Sequence, residues 1–195
     1  MLRAGWRFDL GPRPSAVQII NGSTSRHDSP RSERQKHRDF HRLMIFDYSL
    51  DFAAIDFRKR PELYRIGRGE QGVLLVEPYK SEILPHWKFK TPQLARNSAK
   101  RIYKMFLDYG AKEDFVGMDV ARKFLQMGYT RSRRYANHKS GRKYAASNKE
   151  LLPREEDQEK ARSAKIFYEK WKRAREDKKY LQLKNRHRKL YETQT

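Results

Sequence analysis

The chain of 195 residues reads as a small α+β domain at residues 44–145. A β-hairpin or small sheet would pack on two or three helices, with a disordered basic extension at 1–43 and a long charged helix at 146–195. Three observations predict this. Two strand-like runs flank a glycine-bearing connection near residue 68. One segment has strong helical periodicity. Most aromatic and branched residues fall between 44 and 130.

Residues 1–43, with runs such as "GPRPSA" and "NGSTSRHDSPRSERQKHR", lack hydrophobic periodicity. Pro12 and Pro14 would break the amphipathic helix an organellar transit peptide needs, so targeting by this segment has little support. Met44 stands just before the ordered-looking sequence, as a start codon further downstream would place it. His37 and His41 are four apart, but further ligands are lacking, so a metal pair is rejected.

In "ELYRIG" and "GVLLVEPY", branched and aromatic residues are bounded by Gly and Pro, which reads as two strands joined by "RGEQ". Gly67, Gly69 and Gly72 also spell G-x-G-x-x-G. A dinucleotide fingerprint needs a helix after the glycines, and here a strand is expected. A kinase loop needs catalytic and metal-binding runs that the chain lacks. The glycines are therefore read as turn residues, with Arg68, Glu70 and Gln71 kept as a candidate second site. Nearby, "EPYKSEILPHWKFK" adds Glu77, Lys80 and His86 to that candidate, a carboxylate–histidine grouping that acid–base chemistry would use. A structural loop with a buried Trp87 is the plainer reading.

Residues 90–110 form the clearest helix. Thr91 is its cap, Pro92 its first residue, and Leu94, Ala95, Ala99, Ile102, Tyr103, Phe106 and Leu107 its apolar stripe. A second helix is predicted at 113–129, ended by Gly128, and drawing two helices around that glycine suggests a loose helix-turn-helix. Residues 154–192 read as one charged helix whose seam (Ala164, Phe167, Tyr168, Trp171, Ala174) fades past Tyr180.

Charge supplies the functional signal. Lys and Arg number 45 against 24 Asp and Glu, a net +21. Residues 1–43, 44–90, 91–144 and 145–195 carry +5, +1, +9 and +6. A chain this basic suits a polyanionic partner. With no cysteine it has no disulfide framework, thiolate nucleophile or Cys-ligated zinc, and an intracellular setting fits. No apolar run is long enough for a bilayer span. No cofactor or metal is expected. Asp47, Asp51 and Asp56 are read as surface acids at turns as readily as a converging metal set.

The most basic run, "YTRSRRYANHKSGRKY", contains Arg131, Arg133, Arg134, Lys139, Arg142 and Lys143 and no acid. Tyr135 could stack on a base and His138 donate a hydrogen bond, while Arg96, Lys100 and Lys104 would extend the path. Regularly alternating bulky apolar residues, which a membrane surface would favour, are missing. The expectation is a nucleic-acid-binding protein, DNA or RNA unresolved. The alternative is a small enzyme on a phosphorylated or nucleic-acid substrate at the 68–90 loops.

The runs "RPELYRIGRGEQGVLLVEPYKSEILPHWKFKTP" and "DFVGMDVARKFLQMGYTRSRRYANHKSGRKY" resemble an uncharacterised domain family of bacteria, fungi and bacteriophages. The resemblance covers about 45–145. It implies that this region is the unit to explain and transfers no catalytic residue.

Overall fold

The computed structural model describes residues 46, 48–138, 141–145, 147, 150–154 and 156–192. The N-terminal extension with His37 and His41, Asp47 and Lys139 lie outside them. Among the described residues the protein is helical and has no sheet. Five α-helices follow one another: α1 (Tyr79–Ile83), α2 (Pro92–Ala111), α3 (Phe115–Asn137), α4 (Gln158–Glu176) and α5 (Lys178–Tyr191). Short 3-10 turns at Pro61–Leu63 and Leu84–His86 punctuate the N-terminal half.

The α+β expectation is therefore wrong, and the hairpin is where it fails. Residues 62–78 form no ladder. Their backbone bonds are local turns, from Gln71 N to Arg68 O (3.0 Å), Val73 N to Glu70 O (3.2 Å) and Leu75 N to Gly72 O (2.9 Å). Two left-handed residues three apart, Gly69 (φ 57°) and Gly72 (φ 75°), curl the chain tightly. Val73 and Val76 then drop into the core one turn apart. Branched residues that looked like strand formers are needed here for burial, which does not require pairing. The chain runs on into α1, where Lys80 N bonds Val76 O (2.9 Å).

α2 starts as its sequence indicates. Thr91 Oγ1 accepts from Leu94 N (3.3 Å) and Pro92 is the first helical residue. Ala95, Ala99, Ile102 and Phe106 are buried, while Leu94 and Leu107 at the stripe's edge remain exposed. Asp114 caps α3 by accepting from Gly117 N (2.9 Å). α3 then runs unbroken past Gly128, so no helix-turn-helix exists there. A Cβ on Gly128 would lie 2.3 Å from the Phe167 ring, and the glycine instead lets α4 approach α3 closely. A glycine read as a stop signal is a packing signal.

The expected long C-terminal helix is two helices. Asp157 caps α4 through the amides of Glu159 (2.8 Å) and Lys160 (3.0 Å). Asp177, at φ −64° and ψ 128°, leaves the helical region and caps α5 by accepting from Tyr180 N (2.9 Å). The redirected α5 buries Tyr180, Leu183 and His187. The apolar seam thus continues past Tyr180 at a new angle.

α2, α3 and α4 pack as an antiparallel three-helix core, α3 central, with α1 and α5 closing one end. Aromatic rings fill it: Phe46, Phe57, Tyr64, Phe106, Phe115, Phe124, Phe167 and Tyr180 are all buried. Burying such a side chain is worth roughly 1.5–3 kcal/mol, which explains how a strongly charged chain holds a core. No described helix is long and apolar enough to cross a membrane.

Candidate nucleic-acid interface

The last two turns of α3 turn Ser132 and Ala136 inward, leaving Arg131 and Arg133 half-buried and Arg134 exposed. Among the described residues no carboxylate pairs with these three arginines. Tyr135 is occupied: its ring packs 6.1 Å from Phe89 and lies beneath Gly141. His138 closes the helix by its backbone N–H to Arg134 O (3.0 Å), and its Nδ1 lies 3.4 Å from Pro153 O. Arg142 and Lys143 are exposed, with the Lys143 ammonium 5.4 Å from the centre of the Tyr144 ring.

Tertiary contacts gather further cations at this end. The Asp157 amide donates to Ala136 O (2.9 Å), joining the start of α4 to the end of α3. Lys160 Nζ donates to Lys90 O, joining α4 to the segment before α2. The exposed Lys88, Lys90 and Arg96 therefore share one end of the bundle with Arg131, Arg133 and Arg134. Lys100 is exposed one turn further along α2. Lys104, beyond it, is spent on Asp108 (2.7 Å).

The second candidate set is divided between separate contacts. Glu70 accepts a hydrogen bond from Thr130 Oγ1, and a Cβ on Gly69 would meet Gln126, so the loop bearing Arg68, Glu70 and Gln71 lies along α3 next to the basic turns. The Gln71 side chain folds back to accept from Arg68 N (2.8 Å). Glu77 pairs with Lys80 and accepts from Ser81 Oγ (3.0 Å). His86 offers its backbone carbonyl to Ser98 Oγ (2.7 Å). No hydrogen bond or ion pair joins Glu77, Lys80 or His86 to Glu70 or Gln71. Asp51 and Asp56 cap turns, accepting from the amides of Ala53 (3.2 Å) and Arg58 (3.0 Å).

Sequence reading missed the most unusual chemistry, a buried ion cluster in the N-terminal part of α3. Asp119 is fully buried; its Oδ1 accepts from Arg122 Nε (2.9 Å) and Tyr180 OH (2.7 Å), and its Oδ2 from Tyr64 OH (2.5 Å). Lys123, also fully buried, lies 3.4 Å from the same carboxylate and donates to Tyr64 OH (3.0 Å). Burial works to raise the Asp119 carboxyl, but Arg122, Lys123 and the two phenols outweigh it and hold the acid far below the usual range. Burial pushes the Lys123 ammonium down. The signal was present in "FVGMDVARKFL": an acid three and four residues before two cations, inside an otherwise apolar helix.

A cleft of about 550 Å³ opens at the opposite end of the bundle, lined by Arg58, Tyr79, Glu82, Tyr109, Asp114 and His187 among others. Its polar groups largely satisfy one another. Arg58 forks onto Glu82 (2.9 Å to each oxygen), and Tyr109 OH donates to the same carboxylate (2.6 Å). Tyr79 OH binds Asp114 (2.8 Å). None of the candidate nucleic-acid-binding or second-site residues read from the sequence lines this cleft.

Fold and surface together define a basic, all-helical domain with a buried ion cluster. The family model of a domain of unknown function, DUF4385, matches residues 47–190, and the chain belongs to that family. The match runs through α4 and α5, past the point near 145 where the sequence resemblance stopped. No curated protein and no solved structure matches the chain.

Proposed function

We propose that this domain binds nucleic acid through the basic end of its helical bundle, without catalysis of its own. The observation that carries the reading is the set Arg131, Arg133 and Arg134, free of carboxylate partners among the described residues on an anchored helix end. Lys88, Lys90 and Arg96 are brought to the same end by the contacts at Ala136 and Lys90. Guanidinium forks match phosphate oxygens, and a cluster without counter-charges draws a polyanion. Arg142 and Lys143 extend the surface. Without cysteine the chain has no disulfide for a reducing compartment to break, so an intracellular site of action is compatible with this reading.

The test is fluorescence polarisation of labelled DNA and RNA against the full chain, titrated with salt. Affinity should fall steeply as salt rises, with a log–log slope of roughly −0.7 to −0.9 per phosphate neutralised. The variant Arg131→Ala/Arg133→Ala/Arg134→Ala should bind weakly and with a shallower slope. Binding indifferent to salt, or unchanged in the triple variant, would overturn the proposal.

A further inference from the structure

One aromatic cluster lies at the margin of the core, where Tyr129 and Trp171 pack against it and Tyr168 faces outward. Tyr129, on α3 just before the basic turns, stacks nearly parallel to Trp171 of α4, ring centres 5.9 Å apart at 14°. Tyr168 closes the group, 5.2 Å from Tyr129 and 5.9 Å from Trp171. The three rings roof the groove between α3 and α4, and Tyr168 remains 40% exposed. The Trp171 indole N–H has no acceptor among the described residues, an unmet donor that packing alone does not call for.

Cations rim these rings. The Arg175 guanidinium sits 5.0 Å from the centre of the Trp171 ring. Arg133 lies one helical turn from Tyr129, which connects the rings to the basic end. Lys165 and Lys172 are exposed one turn to either side of Tyr168. Between Lys160 and Arg175, Glu169 is the single acid on α4. Aromatic faces in a cationic groove suit a chain of anions that carries planar groups. A duplex hides its bases from such faces, while a single strand presents them.

We infer that the α3–α4 groove stacks unpaired bases on Tyr168 and its two neighbours, making single-stranded nucleic acid the preferred ligand. This rests on the proposed nucleic-acid function and narrows it. Phosphates held at Arg133, Lys165 and Lys172 would lay the strand along the groove, with a base against Tyr168.

The experiment compares labelled (dT)20 with a 20-base-pair duplex, bound by the wild-type full chain, the triple arginine variant and Tyr168→Leu. Leucine keeps apolar contact and removes the π-face, and a thermal melt checks that the fold is retained. Wild type should prefer the single strand, and Tyr168→Leu should lose about tenfold or more of that affinity while duplex binding is unchanged. In protein labelled with 5-fluorotryptophan, the ¹⁹F resonance assigned by Trp171→Phe should shift on adding (dT)20. If Tyr168→Leu binds (dT)20 as wild type does while the arginine variant loses binding, the stacking groove is wrong and the basic interface stands. If wild type shows no salt-sensitive binding to either probe or to their RNA counterparts, both fall.

Discussion

The Lys123 ammonium lies 2.9 Å from the backbone carbonyl oxygen of Gln71 and donates to it, tying the glycine-rich loop to the buried ion cluster of α3. The same ammonium reaches Tyr64 and Asp119, and Asp119 reaches Tyr180 on α5. One buried carboxylate thus links the segment at Tyr64, the central helix and the C-terminal helix.

Removing two partners from this cluster should cost less than the sum of removing each alone. Asp119→Asn leaves Lys123 and Arg122 without their counter-ion and is expected to destabilise by about 3–5 kcal/mol. Adding Lys123→Met to Asp119→Asn should cost less than the sum of the single changes, by more than about 1 kcal/mol. Urea unfolding of the four proteins of the cycle measures this. Strict additivity would mean that the two groups do not interact.

The two left-handed glycines should respond differently to alanine. At Gly69 (φ 57°) the nearest atom to a new Cβ is Gln126 Nε2 at 3.4 Å, so only the backbone penalty of about 1–2 kcal/mol applies. At Gly72 (φ 75°) the Cβ would lie 2.0 Å from Phe46 Cζ, and overpacking adds to that penalty. Gly72→Ala should therefore lose about 2–5 kcal/mol, clearly more than Gly69→Ala. Equal midpoints in urea would contradict the packing of Phe46 over the loop.

Asp177 decides whether the C-terminal segment is one helix or two. Asp177→Ala removes the acceptor for Tyr180 N and should destabilise by about 1 kcal/mol. The alanine also favours helix through the junction, so helical content by circular dichroism should hold or rise while stability falls. A variant as stable as wild type would show that the cap matters little.

His187 should make stability depend on pH in mildly acid solution. Burial among Phe115, Tyr64 and Tyr191, with Arg65 nearby, pushes the imidazole below its ordinary 6.5. The backbone carbonyl of Tyr64, Glu192 and Asp119 pull the other way without prevailing. The folded state then binds fewer protons than the unfolded state just below pH 6.5, so stability falls as pH drops through that window. His187→Gln keeps an N–H near Tyr64 O and removes the titration. Between pH 7.5 and 5.5 wild type should lose more stability than the variant, and parallel curves would assign the dependence elsewhere.

Some of this was legible because its physics is local. A cap and a first-turn proline need no distant partner, so Thr91 and Pro92 could be read directly. The basic run at 131–143 is likewise a property of consecutive residues. The α+β reading failed because "GVLLVEPY" must be buried, and burial alone does not distinguish a strand from a curled loop docked on helices. Gly128 failed for a related reason: a glycine that ends a helix and one that admits a neighbouring Phe167 look alike until the neighbour is placed.

By itself the sequence determined the start of α2, the strongly positive charge and the segment where arginines lack nearby acids, because capping and charge run along the chain. Only the tertiary structure decided that the domain is all-helical, that Asp119, Arg122 and Lys123 are buried together with Tyr64 and Tyr180, and that Tyr129 meets Tyr168 and Trp171. Those contacts join residues tens of positions apart, and their energies depend on which faces are excluded from water together, which packing alone sets.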